Sequence, residues 1–268
     1  MHHTNTILLR CTFIFAMLTS IHLPAIAQSQ SLLPEKSDRS SHPETQANSE
    51  HVIVGYIFTG GEDIDPDAIA ADKLTHINYA FSRIVDGRVV EGFANDEENY
   101  KKLHTLKALN PKLRILSSVG GWTWSDTFSD MASTKEGRDL FVTSAVQFIQ
   151  KHRLDGIDID WEYPGLPGAG NTYRPEDGSN FTLLLSALRN KLNELQKQAG
   201  RPLIMTIASG GFRDFIAKSD IGNWQRYLTF INIMAYDFHV ANDNNKTGHH
   251  AGLFLNPLDP SALSADSA

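Results

Sequence analysis

Cysteine is nearly missing from this chain. The 268 residues contain one, Cys11. It lies in an apolar N-terminal run, so a small scaffold held by disulfides is excluded. Basic residues are outnumbered, 24 Lys and Arg against 31 Asp and Glu, for a formal net charge of −7. That balance argues against nucleic acid as a main partner and favours a neutral or polar substrate. No GxGxxG or GxxxxGK[ST] pattern follows the first apolar run, so nucleotide binding has no support. The glycine pair in GYIFTGGED reads as a turn. No internal repeat is visible.

What is present begins with an export pattern. Arg10 precedes an apolar stretch from Cys11 to about Leu23, followed by Ala25-Ile26-Ala27, the small-x-small pattern of a signal peptidase site. The stretch is short for a membrane span, which needs about 20 apolar residues. Residues 1–27 are therefore expected to be a signal peptide cleaved near Ala27. An uncleaved anchor is the alternative. A lipoprotein signal is disfavoured, because the apolar run follows Cys11 instead of preceding it. The exported protein would then be extracellular or periplasmic, without cysteine and without a membrane segment. Residues 28–50 are polar and aperiodic and read as a disordered linker.

From residue 51, apolar runs at 51–58, 74–82, 112–121, 154–162, 202–209 and 227–237 read as strands. They are nearly continuous in Ile, Val, Phe and Tyr, as in parallel strands covered on both faces. Helical periodicity runs between them. Phe141, Ala145, Phe148 and Ile149 share a face over 136–152, and Phe181, Leu184, Leu185, Leu188, Leu192 and Leu195 form a stripe over 179–198. Alternating strands and helices predict an α/β fold, either a doubly wound sheet or six units of a (β/α)8 TIM barrel.

The stretch DGIDIDWEYPG, 155–165, breaks the apolar pattern. Side chains alternate along a strand, so Asp158, Asp160 and Glu162 share one face, while Ile157, Ile159 and Trp161 share the other. Asp155 has the wrong parity and reads as structural support near the strand start. Burying three carboxylates together raises their pKa values and does not stabilise a fold. A solvated edge strand or a Ca²⁺ or Mg²⁺ site would be alternatives. The chemical reading is a proton donor, Glu162, kept protonated near neutral pH by its anionic neighbour, as in glycosidases.

DGIDIDWE resembles DxxDxDxE, the signature of family 18 glycoside hydrolases, the chitinase family. SVGGW (118–122) is similar to the SxGGW of that family's third strand and MAYD (234–237) to the MxYD of its sixth. INYAF, GYI, WTWSDTFSDMA and EDGSNFTLLLSALR carry further likeness, so the resemblance runs from about residue 52 to about 257. It implies a secreted, endo-acting chitinase that cleaves β-1,4-N-acetylglucosamine linkages by substrate-assisted, retaining catalysis, an exception to the two-carboxylate scheme. Carried over, Glu162 is the general acid and base. Asp160 turns to the acetamido N–H, and Asp158 shares a proton with Asp160. Tyr236 holds the acetamido oxygen, Met234 and Asp237 line the same subsite, and Ser118 supports the acidic strand. Gly120 and Gly121 leave room for the sugar, and Tyr56, Phe81 and Trp122 line the cleft. Trp124 and Trp161 are left as packing or cleft-edge residues. No metal or cofactor is implied, and His249-His250 reads as structural. The partner is chitin or a chitooligosaccharide, bound by a monomer.

Relatives continue to a seventh and an eighth strand, whereas this chain ends in PLDPSALSADSA. The catalytic domain, 51–268, is accordingly expected to be incomplete at its C-terminal end, as a truncated gene, a fragment or a natural short form. An endo-N-acetylglucosaminidase acting on glycoprotein glycans shares DxxDxDxE and is a second enzyme reading. A lectin-like, chitin-binding remnant is a third, against which Glu162 itself argues. Asn180-Phe-Thr182 and Asn245-Lys-Thr247 fit the glycosylation pattern, although helix capping is the simpler role for Asn180.

Overall fold

The computed structural model describes residues 51–241, 247–258 and 264–268. The expected signal, the linker and Asn245 lie outside the described residues. Seven strands are present among these: β1 (Val54–Phe58), β2 (His76–Val85), β3 (Arg88–Val90), β4 (Arg114–Gly120), β5 (Gly156–Asp160), β6 (Ile204–Gly210) and β7 (Phe230–Met234). All but β3 pair in parallel, in the order β1-β2-β4-β5-β6-β7. The six apolar runs thus become six neighbouring strands in chain order. β3 is the exception, an antiparallel partner of the extended β2. The turn between them is Asp86-Gly87, both with positive φ, a hairpin signal that the sequence analysis passed over.

The helices are α1 (Asp96–Thr105), α2 (Phe128–Ser133), α3 (Lys135–Lys151), α4 (Asp177–Ala199), α5 (Arg213–Lys218) and α6 (Ile221–Trp224). The two long ones coincide with the two periodic stripes. α1 had no such stripe, because Tyr100 and Leu103 are its only buried apolar residues among acids and lysines. Thr134 starts α3 by accepting a hydrogen bond from the Gly137 N–H at 3.0 Å.

The strand parity holds. Ile157 and Ile159 are fully buried, with the α4 leucines in the same core. The Trp161 ring stacks on Phe128 with centroids 5.3 Å apart and meets Phe181 edge-on. Trp161 is therefore a packing residue. Asp155, just before the start of β5, is held among ionic partners. It pairs with Lys107 and Arg201, each at 2.6 Å, and accepts from the Ile115 N–H at 2.8 Å. That joins the start of β5 to β4 and to the segment before β6.

The sheet curls as in a (β/α)8 barrel. β1 and β7 are not hydrogen-bonded neighbours, yet their inner side chains meet. Asn232 Nδ2 donates to the Tyr56 hydroxyl at 3.0 Å, and the ring of His76, at the start of β2, lies 5.2 Å from that of Phe230 on β7. Side chains from every part of the arc therefore converge on its interior, above the middle of β5. Among the described residues no helix is long and apolar enough to cross a membrane.

Candidate active site

Asp158 sits at the centre of this interior, fully buried. Four side chains from four strands donate to it. Its Oδ2 accepts from Tyr56 at 2.9 Å and Ser118 at 2.7 Å, and its Oδ1 from Thr206 at 2.5 Å and Asn232 at 3.2 Å. Strand pairing explains the convergence, since Ser118 and Thr206 are the register partners of Asp158 on β4 and β6. Burial raises the Asp158 carboxyl above its ordinary value, and the four donors oppose that rise.

Asp160 is different. It is equally enclosed, but its Oδ1 has no hydrogen-bond partner among the described residues. Burial and the charges of Glu162 and Asp158 hold its carboxyl well above the ordinary range.

Glu162 follows the end of β5. Its backbone is held on both sides, the N–H by Ser125 Oγ at 2.9 Å and the carbonyl by Asn171 Nδ2 at 2.7 Å. Its carboxyl is pushed up to about 7, first by burial and then by the charge of Asp237, with a hydrogen bond from Tyr163 opposing. The expected elevation is present, but its main cause is burial and not the anionic neighbour. A carboxyl that titrates near neutrality is suited to giving up and recovering a proton.

Tyr236 and Asp237 follow β7 at the mouth. Tyr236 is 37% exposed, and burial together with the charges of Asp160 and Glu162 keeps its phenol protonated. Met234 shares the inward parity of Asn232. Asp237 adopts φ 59° and accepts from His250 Nε2 at 2.7 Å.

The two glycines are packed closely by protein atoms. A Cβ on Gly120, which has φ 112°, would lie 2.2 Å from the Asp160 carbonyl oxygen. On Gly121 it would lie 2.8 Å from the Phe81 ring. They make room for β5 and for Phe81. Phe81 in turn packs beside the exposed Phe58. Tyr56 is also reassigned in part, because its hydroxyl is engaged by Asp158 and Asn232. Trp122 is 51% exposed, with its ring beside Tyr163, open for stacking on a flat apolar surface. Trp124 packs between Phe93 and Arg83 at the rim.

Sequence reasoning missed Thr206, Asn232, Ser125, Asn171 and Tyr163. Asn232 was within reach of the parity argument, since it stands two before Met234. Asn171 lies in a long loop without periodicity and carried no signal. Among the described residues no group of three or more His, Cys, Asp or Glu is placed to hold a metal ion.

Residues 52–268 match the family model described as Glycosyl hydrolases family 18. Chitinase A1 of Niallia circulans is 35% identical, over 81% of this chain and 38% of that protein. Chitinase ChiA74 from Bacillus thuringiensis has a solved structure that superposes with a TM-score of 0.73 at 34% identity, covering 78% of this chain and 43% of that one. A family 18 N-acetylglucosaminidase from Paenibacillus barengoltzii superposes with a TM-score of 0.69 at 39% identity, covering 76% of this chain and 58% of that one. The chain spans about a fifth to half of the length of the curated relatives it matches.

Proposed function

Because the chain belongs to family 18 of the glycosyl hydrolases, we propose that it hydrolyses β-1,4-N-acetylglucosamine linkages in chitin or chitooligosaccharides by substrate-assisted catalysis, retaining the anomeric configuration. One observation carries the mechanism. A buried carboxylate oxygen without a partner, Asp160 Oδ1, stands two residues before a carboxyl that titrates at about 7. A buried acceptor of this kind is costly unless a ligand supplies a donor. The acetamido N–H of an N-acetylated sugar is such a donor.

In this reading Glu162 gives its proton to the glycosidic oxygen as the bond to C1 breaks. The acetamido carbonyl oxygen of the same sugar attacks C1, so an oxazolinium ion forms and no protein nucleophile is needed. Asp160 accepts from the acetamido N–H and stabilises the positive charge, passing its proton toward Asp158 as it turns. The four donors on Asp158 hold that partner in place while Asp160 moves. Tyr236 donates to the acetamido oxygen and aligns it for attack. Glu162, now ionised, takes a proton from the water that opens the ring, and a second displacement at C1 restores the original configuration. Met234 and Asp237 border the same subsite, and Trp122 offers its face to the sugar beyond the cleaved bond. Export belongs to the same reading, supported by Arg10, the following apolar run and Ala25-Ile26-Ala27.

Two substrates test it. A chitooligosaccharide should be cleaved with the β-anomer appearing first by nuclear magnetic resonance. The same oligosaccharide deacetylated at the reacting sugar should be inert. Equal cleavage of both would overturn the substrate-assisted reading. Preference for a high-mannose glycoprotein would replace chitin as substrate while keeping the chemistry.

A further inference from the structure

Tyr236 and Asp237 lie beyond the last hydrogen bond of β7, at an exposed corner of the arc. Strand pairing does not orient them. The segment from Gly248 to Gly252 does. The Phe238 N–H donates to the His250 carbonyl at 3.0 Å, which fixes that segment against the residues after β7. The His239 ring fills the space beside Gly248, where a Cβ would come within 2.2 Å of it. From this anchored position the His250 side chain touches both site residues. Its Nε2 is 2.7 Å from Asp237 Oδ1. Its ring lies parallel to Tyr236, at 2° between planes, with centroids 6.3 Å apart.

The geometry points to His250 as a positioning residue, through which the 248–252 segment sets the orientation of Tyr236 and the charge that Asp237 presents to Glu162. The inference deepens the proposed function and rests on that reading for the role of Tyr236. Two contacts from one imidazole make the coupling specific. The N–H donor holds the Asp237 carboxylate toward His250, against the strained left-handed backbone at residue 237. The imidazole lying parallel beside it limits the swing of the phenol, which must meet the acetamido oxygen to within a few tenths of an ångström. His250 touches no reacting atom itself. Its neighbour His249, also exposed in the same segment, makes neither contact and serves as the control.

The test uses the full chain with His250→Ala, His250→Gln and His249→Ala. Glutamine keeps an N–H donor at similar reach, without the ring. The first readout is the carboxyl carbon resonance of Glu162 across pH, which needs no turnover. In His250→Ala the Asp237 charge loses its donor, so the Glu162 midpoint should move to higher pH. His250→Gln should bring it back toward the parent value, and His249→Ala should leave it unchanged. The second readout is kinetic. His250→Ala should lower kcat on a chitooligosaccharide by about 10- to 100-fold with a smaller change in KM, because orientation matters most in the transition state. His250→Gln should recover only part of this, since the ring contact to Tyr236 is still missing. A Glu162 midpoint identical in His250→Ala and the parent would overturn the inference. So would an equal shift in His249→Ala, which would mark a general effect of the segment. A parent chain without turnover, but with the midpoint shift and its rescue, would refute the functional reading and leave His250 as a positioning residue.

Discussion

Four acids stand within DGIDIDWE, and one of them should be separable from the others by experiment. Asp155 is 2% exposed and faces away from the interior, against Lys107, Arg201 and the Ile115 N–H. Asp155→Asn keeps the volume and leaves an oxygen for the Ile115 N–H, but it withdraws the counter-charge from Lys107 and Arg201 and from the more distant Arg114, 3.6 Å away. A hydrogen bond to a charged group contributes about 1.5–3 kcal/mol when buried and much less when exposed. The Lys107 and Arg201 side chains are 28% and 36% exposed, so each contact is scaled to about 1 kcal/mol, and the loss comes to about 2 kcal/mol. Asp155→Ala also leaves the Ile115 N–H without that acceptor in a fully buried position, which adds about 1–2 kcal/mol. In equilibrium urea unfolding with a slope of about 2 kcal/mol/M, the asparagine variant should lose about 1 M in midpoint and the alanine variant more. Turnover measured well below either midpoint should match the parent. An unchanged midpoint with turnover lost would refute the reasoning and put Asp155 in the chemistry.

Other outcomes follow from the same contacts. The Glu162 carboxyl is raised from 4.5 to about 7, so the folded state binds its proton more tightly than the unfolded state does. Stability should then fall as pH rises through that window, by about 3 kcal/mol in all for this group. Glu162→Gln should flatten that part of the curve in unfolding measured from pH 4 to 8, although Asp158 and Asp160 keep their own share of the slope. Asp237→Asn removes a charge that lifts Glu162, so the basic limb of the pH profile of kcat/KM should move to lower pH. An upward move would contradict the electrostatics. Gly120→Ala would press a Cβ into the Asp160 carbonyl at an unfavourable φ, and should cost about 2–6 kcal/mol, read as loss of soluble folded protein or of melting temperature.

The parts of this molecule legible in its sequence were those with a period. Alternation in 157–162 put three carboxylates on one face and three apolar side chains on the other, and the fold keeps both sets. The leucine stripe marked α4 to within two residues at either end. What escaped was short, polar or dependent on neighbours distant in the chain. Thr206 supports Asp158 because parallel pairing sets β6 beside β5, and Asn232 because the curl of the sheet turns the inner face of β7 toward it, and no local pattern announces either. Ser125 and Asn171 clamp the Glu162 backbone from loops, where periodicity has no meaning. For Gly120 and Gly121, a sequence cannot show that the Asp160 carbonyl and the Phe81 ring occupy the space a Cβ would take. The paired histidines read as structural, yet the contact of His250 with Asp237 and Tyr236 needed a three-dimensional arrangement to become visible.

The central claim is that Glu162 supplies the proton for cleavage of an N-acetylated glycoside. Its most direct test is release of the fluorophore from a 4-methylumbelliferyl chitooligosaccharide by the purified chain, with Glu162→Gln measured in parallel and both folds verified by circular dichroism. The account predicts turnover in the parent, with a basic limb near pH 7, and loss of at least 100-fold in kcat for the glutamine variant. Equal turnover in the two proteins would contradict it.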